Sequence, residues 1–182
     1  TNITFELTND EKKYLHEKLE LPESFLKKIA ENEERNLAIL LHLKKYYSKN
    51  KSIIVFALSL DHAGLLNDLS NIVGIKSASI DKDTEMTNRR KFIKQFKNKE
   101  INILFNYGVL TTGFDAPNTN VIFIARHTNS PVLYNQMIGR GIRGTRVGGN
   151  KECIIVDVED NIIGMPNERS SFTMFRDNFN IN

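Results

Sequence analysis

Cysteine is nearly missing from the chain. Cys153 is the single one among 182 residues, so no disulfide can form within it and nothing points to an oxidising compartment. It sits in the apolar run Cys153-Ile154-Ile155-Val156, which suits a small buried hydrophobe. Long hydrophobic runs are missing too. No stretch reaches the length of a membrane-spanning helix, and Thr1-Asn2-Ile3 has neither the basic start nor the apolar core of a signal peptide. The expected location is therefore the cytoplasm, and the lack of an initiator methionine points to a segment of a longer protein. Charge of one sign is in only mild excess: 25 basic against 22 acidic side chains leaves 25 − 22 = 3. That balance permits contact with phosphate backbones without demanding it. His16, His42, His62 and His127 are scattered without ligand spacing, so no metal site is expected and all four read as structural or surface residues. There is no internal repeat and no low-complexity tract.

What is present is the texture of an α/β domain. The first fifty residues are polar and helical in pattern. Pro22 precedes an amphipathic segment with Phe25, Leu26 and Ile29 on one side. A longer helix is expected from about Asn32, with Glu33 and Glu34 in the first turn where the helix dipole favours acid. Its stripe of Leu37, Leu40, Leu41, Leu43 and Tyr47 suits packing on a sheet. From Ser52 onward, short β-branched runs alternate with helical patterns. The runs are Ile53–Phe56, Ile75–Ile80, Ile101–Phe105, Val121–Ile124 and Cys153–Val158. Between the first two, Leu65, Leu66, Leu69, Ile72 and Val73 recur at helical spacing, and Phe92, Ile93 and Phe96 mark the next helix. Unbroken apolar runs separated by helices indicate a parallel sheet covered on both faces, whose ligands bind at the carboxyl ends of the strands. Ser130-Pro131 reads as a helix start, a serine cap followed by proline at the first helical position. The expected organisation is a helical lead-in over 1–32, the main domain over 33–160 and an extension over 161–182, to which no structure is assigned.

Two segments carry chemistry. Thr111-Thr112-Gly113-Phe114-Asp115-Ala116-Pro117 follows the third strand, where a ligand-binding loop belongs. Gly113 lets backbone approach a phosphate closely, and Asp115 offers an acceptor for a hydroxyl, an amide or a cation. A bare Gly-x-Asp, taken alone, suits a turn between strands better. In Gln136-Met137-Ile138-Gly139-Arg140-Gly141-Ile142-Arg143, two arginines three apart suit the clamping of a polyanionic group, because a planar, permanently charged fork matches developing phosphoryl charge. Solvated surface arginines are the alternative. Against it stand the glycines flanking Arg140, since each interior glycine costs about 1 kcal/mol relative to alanine.

Read together, Ile54-Val55-Phe56-Ala57-Leu58-Ser59, Val109 to Pro117 and Tyr134 to Arg143 resemble the ordered motifs four, five and six of superfamily 2 helicases. The wording is similar to that of DEAD/DEAH-type repair helicases and of the motor subunits of type I and type III restriction enzymes, and the resemblance covers roughly 33–160. It implies a C-terminal RecA-like domain, with ATP and Mg²⁺ bound mainly by a preceding RecA-like domain of the same polypeptide. On that resemblance, Arg143 would be an arginine finger on the γ-phosphate, with Arg140 beside it as a second catalytic arginine. Gln136 would organise that loop, while Gly113 and Asp115 would sense the nucleotide. Ser59 and Thr111 would face the backbone of DNA or RNA, where hydroxyl and amide donors hold phosphates without reading sequence.

The departures are informative. Tyr107-Gly108 stands where many DEAD-box relatives have Thr-Asp, and Asn135-Gln136 stands where His-Arg is frequent. No G-x-x-x-x-G-K-[ST] occurs, and Gly74-Ile75-Lys76-Ser77 lacks the upstream glycine and the spacing. The chain on its own is therefore expected to be inactive as an ATPase. Two rival readings remain at this stage: a non-catalytic α/β module that binds a nucleotide or a partner, and a nuclease using Asp157, Glu159 and Asp160. The second is disfavoured because no histidine or basic partner stands near that triplet in sequence. Arg89, Arg90, Lys91, Lys94 and Lys97 suit a solvated helix face or a nucleic-acid track.

Overall fold

The computed structural model describes residues 3–109, 118–128, 130–139 and 152–165. Five of the strands lie where the β-branched runs predict them: β2 (Ile53–Phe56), β3 (Ser77–Ile80), β4 (Ile103–Asn106), β5 (Val121–Ile124) and β6 (Ile154–Asp157). They pair in parallel in the order β3-β4-β2-β5-β6, with β2 at the centre. Alternation along β2 explains why both faces must be covered. Ile54 and Phe56 enter one core with Phe96, Tyr134, Met137 and Ile138, while Ile53 and Val55 enter the other with Ile39, Leu43, Ala63 and Leu66. Each fully buried side chain of this kind contributes roughly 1.5–3 kcal/mol of hydrophobic stabilisation. The first face is covered by α5 (Met86–Lys97) and α6 (Pro131–Ile138), and the second by α3 (Glu33–Tyr47) and α4 (Leu60–Ile72).

The helix starts follow their chemistry. Asn32 accepts from Arg35 N–H at the start of α3, Ser59 from His62 N–H at the start of α4, and Ser130 from Leu133 N–H at the start of α6. Pro131 occupies the first turn of α6, as expected.

The helix faces differ from the sequence reading. On α3 the buried residues are Arg35, Asn36, Ile39 and Leu43, whereas Leu37 and Leu41 are 58% and 60% exposed. On α4 the buried residues are His62, Ala63, Leu66 and Ser70, while Ile72 and Val73 point outward. Arg35, Asn36 and His62, whose side chains find buried hydrogen-bond partners, share the covered faces of these helices with Leu43 and Leu66.

The lead-in contains its two helices, α1 (Asn9–Lys18) and α2 (Glu23–Ala30), and also a strand, β1 (Thr4–Glu6). That strand pairs in parallel with β7 (Asn161–Ile163), in the tail to which the sequence assigned no structure. Phe5, Leu15, Phe25, Ile29 and Ile162 form a third core together with Leu58, the residue that precedes the Ser59 cap. The flanking segments therefore close on the loop that follows β2.

Candidate nucleotide and nucleic-acid interface

The carboxyl edge of the sheet is held by the first turn of α3. Two adjacent residues there fasten three strand ends. Arg35 Nε donates to Asp160 Oδ1 at 2.7 Å and Arg35 Nη2 to Asp160 Oδ2 at 2.9 Å, and Nη2 also donates to the carbonyl of Ala125 at 3.0 Å. Ala125 follows β5 directly and Asp160 lies three residues beyond β6. The Arg35 and Asp160 side chains are almost fully buried, at 2% and 4% exposure. His127 adds a third contact, its Nε2 lying 3.0 Å from Asp160 Oδ2. Burial by itself would push the Asp160 carboxyl up, but hydrogen bonds and charge from His127 and Arg35 outweigh it and hold the group below the ordinary carboxylate value.

Asn36 fastens the end of β2. Its Nδ2 donates to the carbonyl of Ala30 at 2.7 Å, and its Oδ1 lies 3.0 Å from His62 Nε2. The other ring nitrogen, Nδ1, accepts from Leu58 N–H at 3.2 Å, so the proton belongs on Nε2 and is donated to Asn36. Burial first, and then the nearby Arg35 charge, push the His62 pKa down to about 3. His62 is therefore neutral, and it fixes the turn carrying Leu58 and Ser59.

Among the sequence-predicted site residues, Ser59 lies three residues beyond β2, and its hydroxyl caps α4, accepting from His62 N–H at 3.1 Å. Gln136 lies exposed on α6. The same helix buries Tyr134, whose hydroxyl donates to Asp157 Oδ2 at 3.4 Å at the end of β6. Burial, reinforced by that carboxylate, raises the Tyr134 pKa. Thr111, Gly113, Asp115, Arg140 and Arg143 lie outside the described residues.

Asp160 corrects the sequence reading. A histidine and an arginine do accompany the strand-end carboxylates, and both reach Asp160. Sequence reasoning missed Arg35 and Asn36 because they were hidden in a helix read by its leucines. The available signal was an Arg-Asn pair at the first turn of a helix that packs on a sheet. Burial pushes the Cys153 thiol up to about 11, which fits an inert side chain beside the core. Among the described residues no group of histidine, cysteine and carboxylates is arranged to hold a metal ion. On α5, Arg90, Lys91, Lys94 and Lys97 are exposed.

Tyr107 follows β4 and Arg126 lies two residues beyond β5, the two strands that flank β2. Gly108, at φ +74°, turns the chain straight after Tyr107, and the Arg126 guanidinium carbon rests 5.5 Å from the centre of the Tyr107 ring.

Residues 35–145, more than half of the chain, match the family described as helicase conserved C-terminal domain. Over 122 residues the chain is 38% identical to the candidate ATP-dependent helicase IRC3 of Saccharomyces cerevisiae, covering 67% of this chain and 18% of that protein. The chain spans about a fifth of the length of the curated relatives it matches. Among solved structures it is similar to T4 UvsW, with a TM-score of 0.59 at 22% identity over 88% of this chain and 31% of that one. It is also similar to Mss116p DEAD-box helicase domain 2 bound to an RNA duplex, with a TM-score of 0.59 at 20% identity over 74% of this chain and 51% of that one.

Proposed function

Because the chain belongs to the helicase conserved C-terminal domain family, as the C-terminal RecA-like domain of a superfamily 2 helicase, we propose that it is half of an ATP-driven nucleic-acid motor. In this reading it closes on a preceding RecA-like domain that holds ATP and Mg²⁺, and it supplies Arg143 and Arg140 to the triphosphate. Gln136, Gly113 and Asp115 serve the nucleotide side. Ser59 and Thr111 face the backbone of DNA or RNA. The chain alone is inactive, since it contains no phosphate loop.

The observation that supports this most directly is positional. Ser59 and the helix carrying Gln136 both follow parallel strands at the sheet's carboxyl edge, where α/β folds place ligands, and that edge is held rigid from within by Arg35 and Asn36. Rigidity matters because an arginine finger acts by position: it must meet charge that develops on the γ-phosphate, an effect of about 10³–10⁵ in rate. In the intact polypeptide, Arg143→Ala is expected to keep ATP binding and lose hydrolysis by that order. Unchanged turnover in a variant that binds ATP normally removes the assigned role. The nuclease reading loses its main residue, since Asp160 is engaged by Arg35 and His127.

A further inference from the structure

Two arginines at the carboxyl edge of the sheet face the same physical problem and meet it differently. Burying a guanidinium removes hydration from a cation that never deprotonates, so a buried arginine normally has a carboxylate beside it. Arg35 meets this requirement through its two-pronged pair with Asp160. Arg126 does not. It is partly buried, its Nε is shut off from solvent with no hydrogen-bond partner, and no carboxylate among the described residues is paired with it. What faces its guanidinium among the described residues is the Tyr107 ring, in a cation–π contact. A cation–π contact offsets only about 0.5–2 kcal/mol, well short of what an ion pair supplies to a desolvated charge. Burial accordingly pulls the Arg126 pKa down, and Tyr107 only partly opposes it.

Arg126 is also well placed. It lies between β5 and α6, four residues before the Ser130 cap, and its ring partner lies two residues before Val109, where the second helicase-like segment begins. Tyr107 is 37% exposed, so one side of the pair remains open to solvent. The pair therefore brackets the end of β2, with a cation held in a fixed orientation and one accessible side.

We propose that Arg126, steadied by Tyr107, is an anion-binding residue that receives a phosphate group. This deepens the motor reading and rests on it. That phosphate belongs either to the nucleic-acid backbone or to the nucleotide, and the guanidinium chemistry is the same for both. Tyr107 is a positioning residue: it keeps the fork from folding back into solvent.

The test uses the intact polypeptide, with Arg126→Gln, Arg126→Lys, Tyr107→Leu and Tyr107→Phe, each first matched to the wild type by thermal melting. Binding of fluorescein-labelled oligo(dT) and oligo(U) is measured from low to moderate salt, and ATP binding is measured separately. Each phosphate contact on a single strand contributes about 0.7 to the slope of log K against log salt. A slope lowered by about that amount in Arg126→Gln, retained in Arg126→Lys and unchanged for ATP, assigns the site to the strand. A weakened ATP affinity with an unchanged slope assigns it to the nucleotide. In either case Tyr107→Leu is expected to follow Arg126→Gln in part, whereas Tyr107→Phe behaves as wild type. A folded Arg126→Gln protein with both slope and ATP affinity unchanged overturns the site alone. Wild-type protein that binds neither probe removes the parent reading and this site with it.

Discussion

Arg35 and Asp160, 125 residues apart in the chain, meet in a buried two-pronged ion pair whose contacts are 2.7 and 2.9 Å. The pair joins the first turn of α3 to the loop beyond β6, and through the Ala125 carbonyl it also holds the end of β5. Its value is therefore organisational as much as energetic. Charge pairs of this sort rarely outperform well-packed apolar replacements, but breaking one by removing a single partner leaves an orphaned cation.

Removing Asp160 is accordingly expected to be severe. Asp160→Ala leaves the buried Arg35 without its paired carboxylate and releases His127, with a loss of about 3–5 kcal/mol in unfolding free energy. Urea denaturation measures it. A loss below about 1 kcal/mol would show that water compensates Arg35, and that the edge does not depend on this contact.

Acid should weaken the fold in a defined window. His62 has its folded pKa lowered to about 3 against an ordinary value of 6.5. A lowered folded pKa gives stability that is complete above the unfolded value and lost as pH falls from about 6.5 towards 3. The slope approaches about 1.4 kcal/mol per pH unit, so roughly 2 kcal/mol is lost between pH 7 and pH 5. Asp160, whose pKa is also lowered, acts in the same direction but only below the ordinary carboxylate range. His62→Gln should therefore flatten the dependence between pH 5 and 7, whatever it costs at pH 7. A wild-type stability that is flat across this range contradicts the buried neutral imidazole.

Ser59 has two separable duties. As the cap of α4 it accepts from His62 N–H, so Ser59→Ala is expected to cost about 1 kcal/mol in stability. Aspartate caps equally well while carrying negative charge. Ser59→Asp should therefore keep stability within about 0.5 kcal/mol and still weaken binding of a labelled single strand several-fold. Equal nucleic-acid affinity in Ser59→Asp would confine Ser59 to its capping role.

The phase of α3 can be tested by pairing an exposed leucine with a buried one. Leu37→Gln, at a site 58% exposed, should change stability by no more than about 0.5 kcal/mol. Leu43→Ala, at a fully buried site, should cost about 2–5 kcal/mol. The reverse order would mean that the helix packs through the face carrying Leu37.

Strands were legible because both faces of a parallel sheet must be apolar, and runs such as Ile53–Phe56 and Val121–Ile124 satisfy that condition locally. Helix starts were legible for a similar reason at Asn32 and Ser130, which sit beside the amides they satisfy. Helix phase was not. A leucine tolerates exposure, while Arg35, Asn36 and His62 are buried with hydrogen bonds to partners outside their own helices, one of them 125 residues away. No hydrophobic pattern marks such a residue. The same distance hid β1 and β7, each three residues long and meaningful only beside the other. Of the site residues predicted from sequence, Ser59 and Gln136 fall within the described residues, and Ser59 gained a structural duty that its motif position did not suggest.

The pairing of β1 with β7 has a mechanical consequence. Tension applied at the start of the lead-in, or just beyond β6, arrives at one two-stranded ribbon rather than at separate corners of the domain. Because Phe5 and Ile162 pack with Leu58, a tug on that ribbon is delivered to the turn bearing Ser59. Force on that ribbon would thus have a route to the loop after β2.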